Sequence, residues 1–167
     1  MKKICAILLI GLLCVGLCAC GEEPEEAPSN YDYSDLTEPV VDVKITDCIT
    51  EQQLSTILGY AMLPPQMGES DTQAIYQSED GACMVYISLK NQPRGVFDSD
   101  IAALGDAVTM VTTYGEVAYW CSTTGELLVY QNGYSLGIAV SIAGVENTET
   151  YISRIAETMV TALQPAA

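Results

Sequence analysis

Apolar and polar positions repeat with two different periods along this chain, and the switches between them mark its elements. Leu54, Ile57 and Leu58 recur at helical spacing on one face. Thr50-Glu51-Gln52-Gln53 stands just before them and reads as a capping box, with Thr50 as N-cap and Gln53 reaching back; Gly59 ends the helix. Pro64-Pro65 breaks the chain. The period then becomes two, predicting strands over 72–78 and 82–90 about the turn Glu79-Asp80-Gly81. Cys83, Val85, Ile87 and Leu89 alternate onto one face, which makes Cys83 a core residue rather than a reactive thiol.

Asn91-Gln92-Pro93-Arg94-Gly95 reads as a loop, after which Asp98 or Ser99 can cap a short helix running through Leu104 and closed by Gly105. Strands are predicted over 107–112 and 117–121, and two more over 126–131 and 134–142. Asn132-Gly133 joins the last pair, and both residues tolerate the positive φ of a tight hairpin turn. In the last strand Leu136, Ile138, Val140 and Ile142 share a face. Ser135, Gly137, Ala139 and Ser141 line the other, and such small residues predict a helix or neighbouring element packed closely on them. A final helix is predicted over 148–163, with Tyr151, Ile152, Ile155, Ala156, Met159, Val160 and Leu163 as its apolar stripe. Hairpin-linked strands flanked by helices predict an α+β domain: a mostly antiparallel sheet of about six strands with flanking helices.

The N-terminal pattern is different. Lys2 and Lys3 precede an uncharged, almost wholly apolar run, residues 4–19, shorter than the ~20 residues that span a bilayer comfortably. It ends in Leu17-Cys18-Ala19-Cys20-Gly21, which resembles the lipobox of bacterial lipoproteins. The resemblance implies a signal peptide over residues 1–19, a diacylglycerol on the Cys20 thiol, and cleavage before it. Cys14 and Cys18 fit less well, because Leu13 and Leu17 stand where a small residue is needed. The alternative is an ordinary signal peptide that happens to end in Cys. Two acyl chains would hold the protein stably on a membrane, where one is marginal. Residues 20–42 then form a lipidated, acidic, Pro-rich tether: eight acids and no base occur from Gly21 through Asp42, and their repulsion favours an extended segment. Residues 43–167 remain for a single domain.

Charge narrows the partners. Removing residues 1–19 deletes two lysines and no acid, leaving four basic and 22 acidic residues, a net charge of −18. That disfavours nucleic acid and anionic headgroups. The chain has no histidine, so Ser-His-Asp and Cys-His catalysis and His-containing zinc sites are excluded. Of seven cysteines, Cys48, Cys83 and Cys121 fall in the domain, an odd number without CxxC spacing; no disulfide framework is indicated, and Cys48 with Cys121 is the pair left open.

Tyr114-Gly115-Glu116-Val117-Ala118-Tyr119-Trp120, followed by Leu127-Leu128-Val129, Gly133, Ile138-Ala139-Val140 and a closing amphipathic helix, resembles uncharacterised bacterial lipoproteins whose domains look like the PsbP extrinsic-protein fold. The likeness covers roughly residues 45–164. It implies an antiparallel sheet sandwiched by helices (an α/β/α sandwich), and no catalytic residues.

Three constellations bear on chemistry. Gly133-Tyr134-Ser135-Leu136-Gly137 matches G-x-S-x-G, but it runs from a hairpin turn into a strand and has no His base, so it is a chance match to the hydrolase elbow. Asp98, Asp100, Asp106 and Glu116 could supply paired carboxylates for glycan chemistry, against a plainer role in capping and loop solvation. They lack the spacing of a calcium loop, and no metal or other cofactor is expected. Tyr114, Tyr119, Trp120, Tyr130 and Tyr134 lie within a short stretch and could line a ligand groove, against the commoner reading as sheet core, which is favoured for Trp120. The expected function is a non-catalytic binding or accessory domain, lipid-anchored on the extracytoplasmic face of the cell membrane, with an unknown protein or glycan partner. A carboxylate-dependent cell-wall or glycan enzyme is the alternative.

Overall fold

The computed structural model describes residues 43–68 and 71–164; the signal peptide, Cys20 and the tether lie outside the described residues. Among those described, the element order is α1 (Ile45–Cys48), α2 (Glu51–Leu58), β1 (Gln66–Met67), β2 (Gln73–Gln77), β3 (Cys83–Asn91), α3 (Arg94–Ala103), a 3-10 turn (Gly105–Ala107), β4 (Val108–Val111), β5 (Val117–Cys121), β6 (Glu126–Gln131), β7 (Tyr134–Ile142) and α4 (Glu149–Ala162). The strands form one antiparallel sheet of seven, in the order β1-β2-β3-β7-β6-β5-β4, so the fold is α+β. The seventh strand beyond the six expected is β1, two residues long and therefore below the reach of a period-two pattern.

Local chemistry accounts for the ends of these elements. Thr50 and Gln53 make the reciprocal capping box: Gln53 N–H donates to Thr50 Oγ1 at 3.2 Å, and Thr50 N–H donates to Gln53 Oε1 at 2.8 Å. Gly59 closes α2 at φ +79°, a conformation a Cβ would strain. Asn132 and Gly133, at φ +54° and +79°, turn the β6–β7 hairpin.

One face of the sheet carries the main core. α4 packs on β7 and β6 and against α1 and α2. Beneath them lie Cys83, Val85, Ile87 and Leu89 of β3 and Leu136, Ile138, Val140 and Ile142 of β7, all buried. The hydroxyl of Tyr76 in β2, fully buried, donates to the Ile49 carbonyl at 3.1 Å and so ties the sheet to the α1–α2 junction. On the opposite face α3 lies over the β4–β6 end alone, where Phe97 and Ile101 meet Tyr130, Val108, Val117, Tyr119 and Leu128.

One expectation is corrected here and another is narrowed. α3 begins at Arg94, not at Asp98 or Ser99. Pro93 is its N-cap at φ −60°, and Asp98 sits one turn inside, paired with Arg94 at 2.8 Å. The buried Phe97/Ile101 pair anchors this helix, so Gly95 does not interrupt it. Of the helix or neighbouring element expected on the small-residue face of β7, it is neighbouring strands that approach, since α3 covers other strands. At Gly137 the Glu126 carboxylate and the Ser88 hydroxyl crowd the space instead, and Ser141 is exposed.

Candidate functional site

The five aromatic residues singled out in sequence do not line one groove. Strand alternation sends them to two faces. Trp120 and Tyr134, with Tyr114 of the β4–β5 connection, pack with the main core: Tyr134 is buried, Tyr114 and Trp120 half-buried. Tyr119 and Tyr130 lie on the other face beneath α3, where Phe97 contacts both, at ring-centroid distances of 6.3 and 5.4 Å. Arg94 stacks 5.2 Å from the centre of the Tyr130 ring, whose hydroxyl donates to the Gln92 carbonyl at 3.4 Å. Tyr130 is thus fully used in packing.

Trp120 borders a cleft that the sheet's register creates. β7 pairs with β3 from Asn91↔Tyr134 to Cys83↔Ile142, whereas the β6–β7 ladder stops at Leu127↔Ile138. Residues 139–142 therefore run on past β6. The β5–β6 turn flanks them at Thr124 and Gly125, and the segment leading into α4 folds back on their other side. That segment is held by two bonds: Val145 N–H donates to the Ile142 carbonyl at 3.1 Å, and Thr148 Oγ1 donates to the Val140 carbonyl at 3.0 Å. Between these parts is a cleft of about 490 Å³, within the range of small-ligand sites. Trp120 supplies aromatic surface from the main-core face and Tyr86, which alternates with the buried Val85 and Ile87, from the opposite face; Met84 and Val145 add apolar surface and Glu146 and Glu149 carboxylates, and no Lys or Arg lines it. The N-terminus of α4 also borders it with roughly half a positive charge, which two carboxylates outweigh.

A second concavity of about 490 Å³ lies among α1, α2 and α4, with Asp47, Gln53 and Glu157 in its wall and no aromatic residue. It offers nothing on which a ring or a cation could stack.

The four candidate carboxylates do not form an acid–base pair. Asp98 and Glu116 both meet Arg94, at 2.8 and 4.0 Å, and Glu116 also accepts the Asn132 N–H at 2.8 Å. Asp100 and Asp106 are exposed. Glu126, absent from the sequence-based candidates, is the perturbed one. Burial pushes its carboxyl above the ordinary range, against the opposing pull of Lys90 and a hydrogen bond from Thr124; no second carboxylate figures among its influences. Alternation could have found it, since Glu126 shares a face with Leu128 and Tyr130. Ser135 lies within β7, opposite Lys90 and Tyr130, so the G-x-S-x-G run forms no nucleophile elbow. Among the described residues no three His, Cys, Asp or Glu side chains gather at a metal-sized site, and no helix is long and apolar enough to cross a membrane.

Compared with known proteins, the chain matches no family model, no curated protein and no solved structure.

Proposed function

We propose that the chain is an extracytoplasmic lipoprotein, anchored by a lipid on Cys20, whose PsbP-like domain is a non-catalytic binding module with its ligand seat at the Trp120 cleft. The observation that carries the binding reading is the composition of that cleft: a half-buried indole beside two carboxylates, with no base. Aromatic faces attract apolar surface and cations, and carboxylates accept hydrogen bonds from hydroxyl or ammonium groups. The ligand is therefore neutral and hydroxyl-rich, or cationic, and not an anion. The lipobox-like Leu17-Cys18-Ala19-Cys20 supports the anchor, and the acidic stretch after it suits a tether.

Both halves are open to test. Cells fed a labelled fatty acid should label the wild type and not Cys20→Ala; equal labelling would remove the anchor. Titrating the full chain with choline, methyl β-glucoside or acetate, while following the emission of its single tryptophan, should give a saturable shift with the cation or the sugar and none with acetate. An equal response to acetate would overturn the binding reading. Release of reducing ends from purified cell-wall glycan, abolished by Glu126→Gln, would establish an enzyme instead.

A further inference from the structure

The two edges of the sheet are finished differently. β1 is two residues long and follows Pro64-Pro65, both devices that blunt an edge. β4 is the other edge, and its sequence, Val108-Thr109-Met110-Val111, carries no charge and no proline. Its outward backbone groups can be assigned. Ser122 N–H donates to the Ala107 carbonyl at 2.9 Å. The alternation of an antiparallel ladder then turns the Thr109 and Val111 backbone toward β5, and that of Val108 and Met110 toward the open side. Val108 N–H is taken by the Gly105 carbonyl. The Val108 carbonyl and both backbone groups of Met110 are left facing outward, and among the described residues no strand pairs with them. The Met110 side chain beside them is 58% exposed.

We propose that the outer edge of β4 is a strand-docking site for an extended, basic peptide segment of a partner protein. A strand laid antiparallel there exchanges two hydrogen bonds with Met110 and donates a third to the Val108 carbonyl. Charge selects the occupant. Asp106 stands just before β4 and Glu116 just before β5, and Asp98 lies on the helix packed over β4–β6. Against these three carboxylates stands one guanidinium, Arg94, already engaged by Asp98 and Glu116. A second copy would bring the same acids on a chain of net charge −16, and the chain's own residues 21–42 carry eight acids and no base. Lysine or arginine at either end of the incoming strand meets the opposite sign.

Amide hydrogen exchange on the full, isotope-labelled chain tests this, with the heptapeptide Lys-Thr-Val-Thr-Val-Thr-Lys as probe. Saturating peptide should slow exchange at the Met110 amide at least tenfold and leave Thr109 and Val111, already bonded to β5, unchanged. The protection should fade as salt is raised. A version with glutamate at both ends, and one N-methylated at its central residue, should give none. Met110→Pro removes the outward N–H without touching a β4–β5 bond, and should abolish the effect; the N-methylated peptide makes the same point without altering the protein. The proposal is overturned by equal protection from the glutamate peptide or by no protection from the lysine peptide at millimolar concentration. It is overturned equally by peptide-free protection that grows with protein concentration, which would give the edge to a second copy.

Discussion

Glu126 and Gly137 share one volume: the Glu126 carboxylate fills the space a β-carbon on Gly137 would take, and the Ser88 hydroxyl stands 2.6 Å from the same point. Glycine inside a nine-residue strand weakens it unless something approaches closely, and here a carboxylate does. Gly137→Ala should therefore lower stability by ~1–3 kcal/mol, the usual range for overpacking. Urea unfolding measures this. Glu126→Ala in the same chain should recover part of the loss, giving a double-mutant coupling above ~0.5 kcal/mol; strict additivity would show that the two positions do not compete.

The burial that creates this contact also gives Glu126 a pH signature. Desolvation raises its carboxyl above the ordinary carboxylate range and outweighs Lys90 and the Thr124 hydroxyl. A carboxyl raised by folding is penalised when ionised, so its cost is present above the folded-state pKa and disappears as pH falls to the unfolded value. Glu126→Gln should accordingly stabilise the domain at pH 7, with a gain that shrinks on acidification and vanishes below pH 4.5. Unfolding midpoints of both forms across that range check it; a gain independent of pH would assign the effect to packing.

Trp120 has one side on the core and one on the cleft, and its fluorescence should report both. Emission should be intermediate in wavelength. Caesium should quench it more efficiently than iodide, because Glu146 and Glu149 repel the anion. Trp120→Ala should cost about 2 kcal/mol, less than the ~3–5 kcal/mol of a fully buried tryptophan. Stronger quenching by iodide would refute the acidic character of the cleft.

The parts of this fold that were legible in sequence are those set by neighbours in the chain. The Thr50–Gln53 box, the Asn132-Gly133 turn and the alternation of β3 and β7 each depend on residues within one element, and each stands as read. α1 and β1, with four and two residues, are too short to show a period. The start of α3 was hidden because Gly95 reads as a breaker, while Phe97 and Ile101 gain their hold only from β4–β6. The candidate site was less legible still. Alternation sorts Trp120 from Tyr119, but the cleft depends on how far β6 reaches along β7, a register between strands that no single-strand pattern contains.

The cysteines follow from the same two-faced geometry. Cys48 lies in α1 on the main-core side, whereas Cys121 alternates with Trp120 and points to the α3 side; with a sheet between them they do not pair, and all three domain cysteines are free. A reducing agent should leave the thermal midpoint unchanged, where loss of a native disulfide would remove ~2–5 kcal/mol. A large drop on reduction would contradict the assignment.

The α1–α2 junction should be the alkali-sensitive part of the domain. Burial, then Glu51, then Cys48 push the Tyr76 hydroxyl from 10.0 to about 12, and burial with Asp47 pushes the Cys48 thiol from 9.0 to about 11. Both groups are acids that folding keeps neutral. Their stabilisation is whole below the unfolded pKa values and is lost as pH rises through the folded ones, so stability should fall between pH 9 and 12, Cys48 acting first. The Tyr76 part can be isolated. Tyr76→Phe keeps the ring in the core but deletes the hydrogen bond to the Ile49 carbonyl, costing ~1 kcal/mol at neutral pH. Because phenylalanine cannot ionise, the variant should lose less than the wild type above pH 10, and the two unfolding curves should cross so that the variant is the more stable by pH 12. If the variant instead falls in parallel with the wild type across that window, Tyr76 is not the group whose ionisation opens the junction.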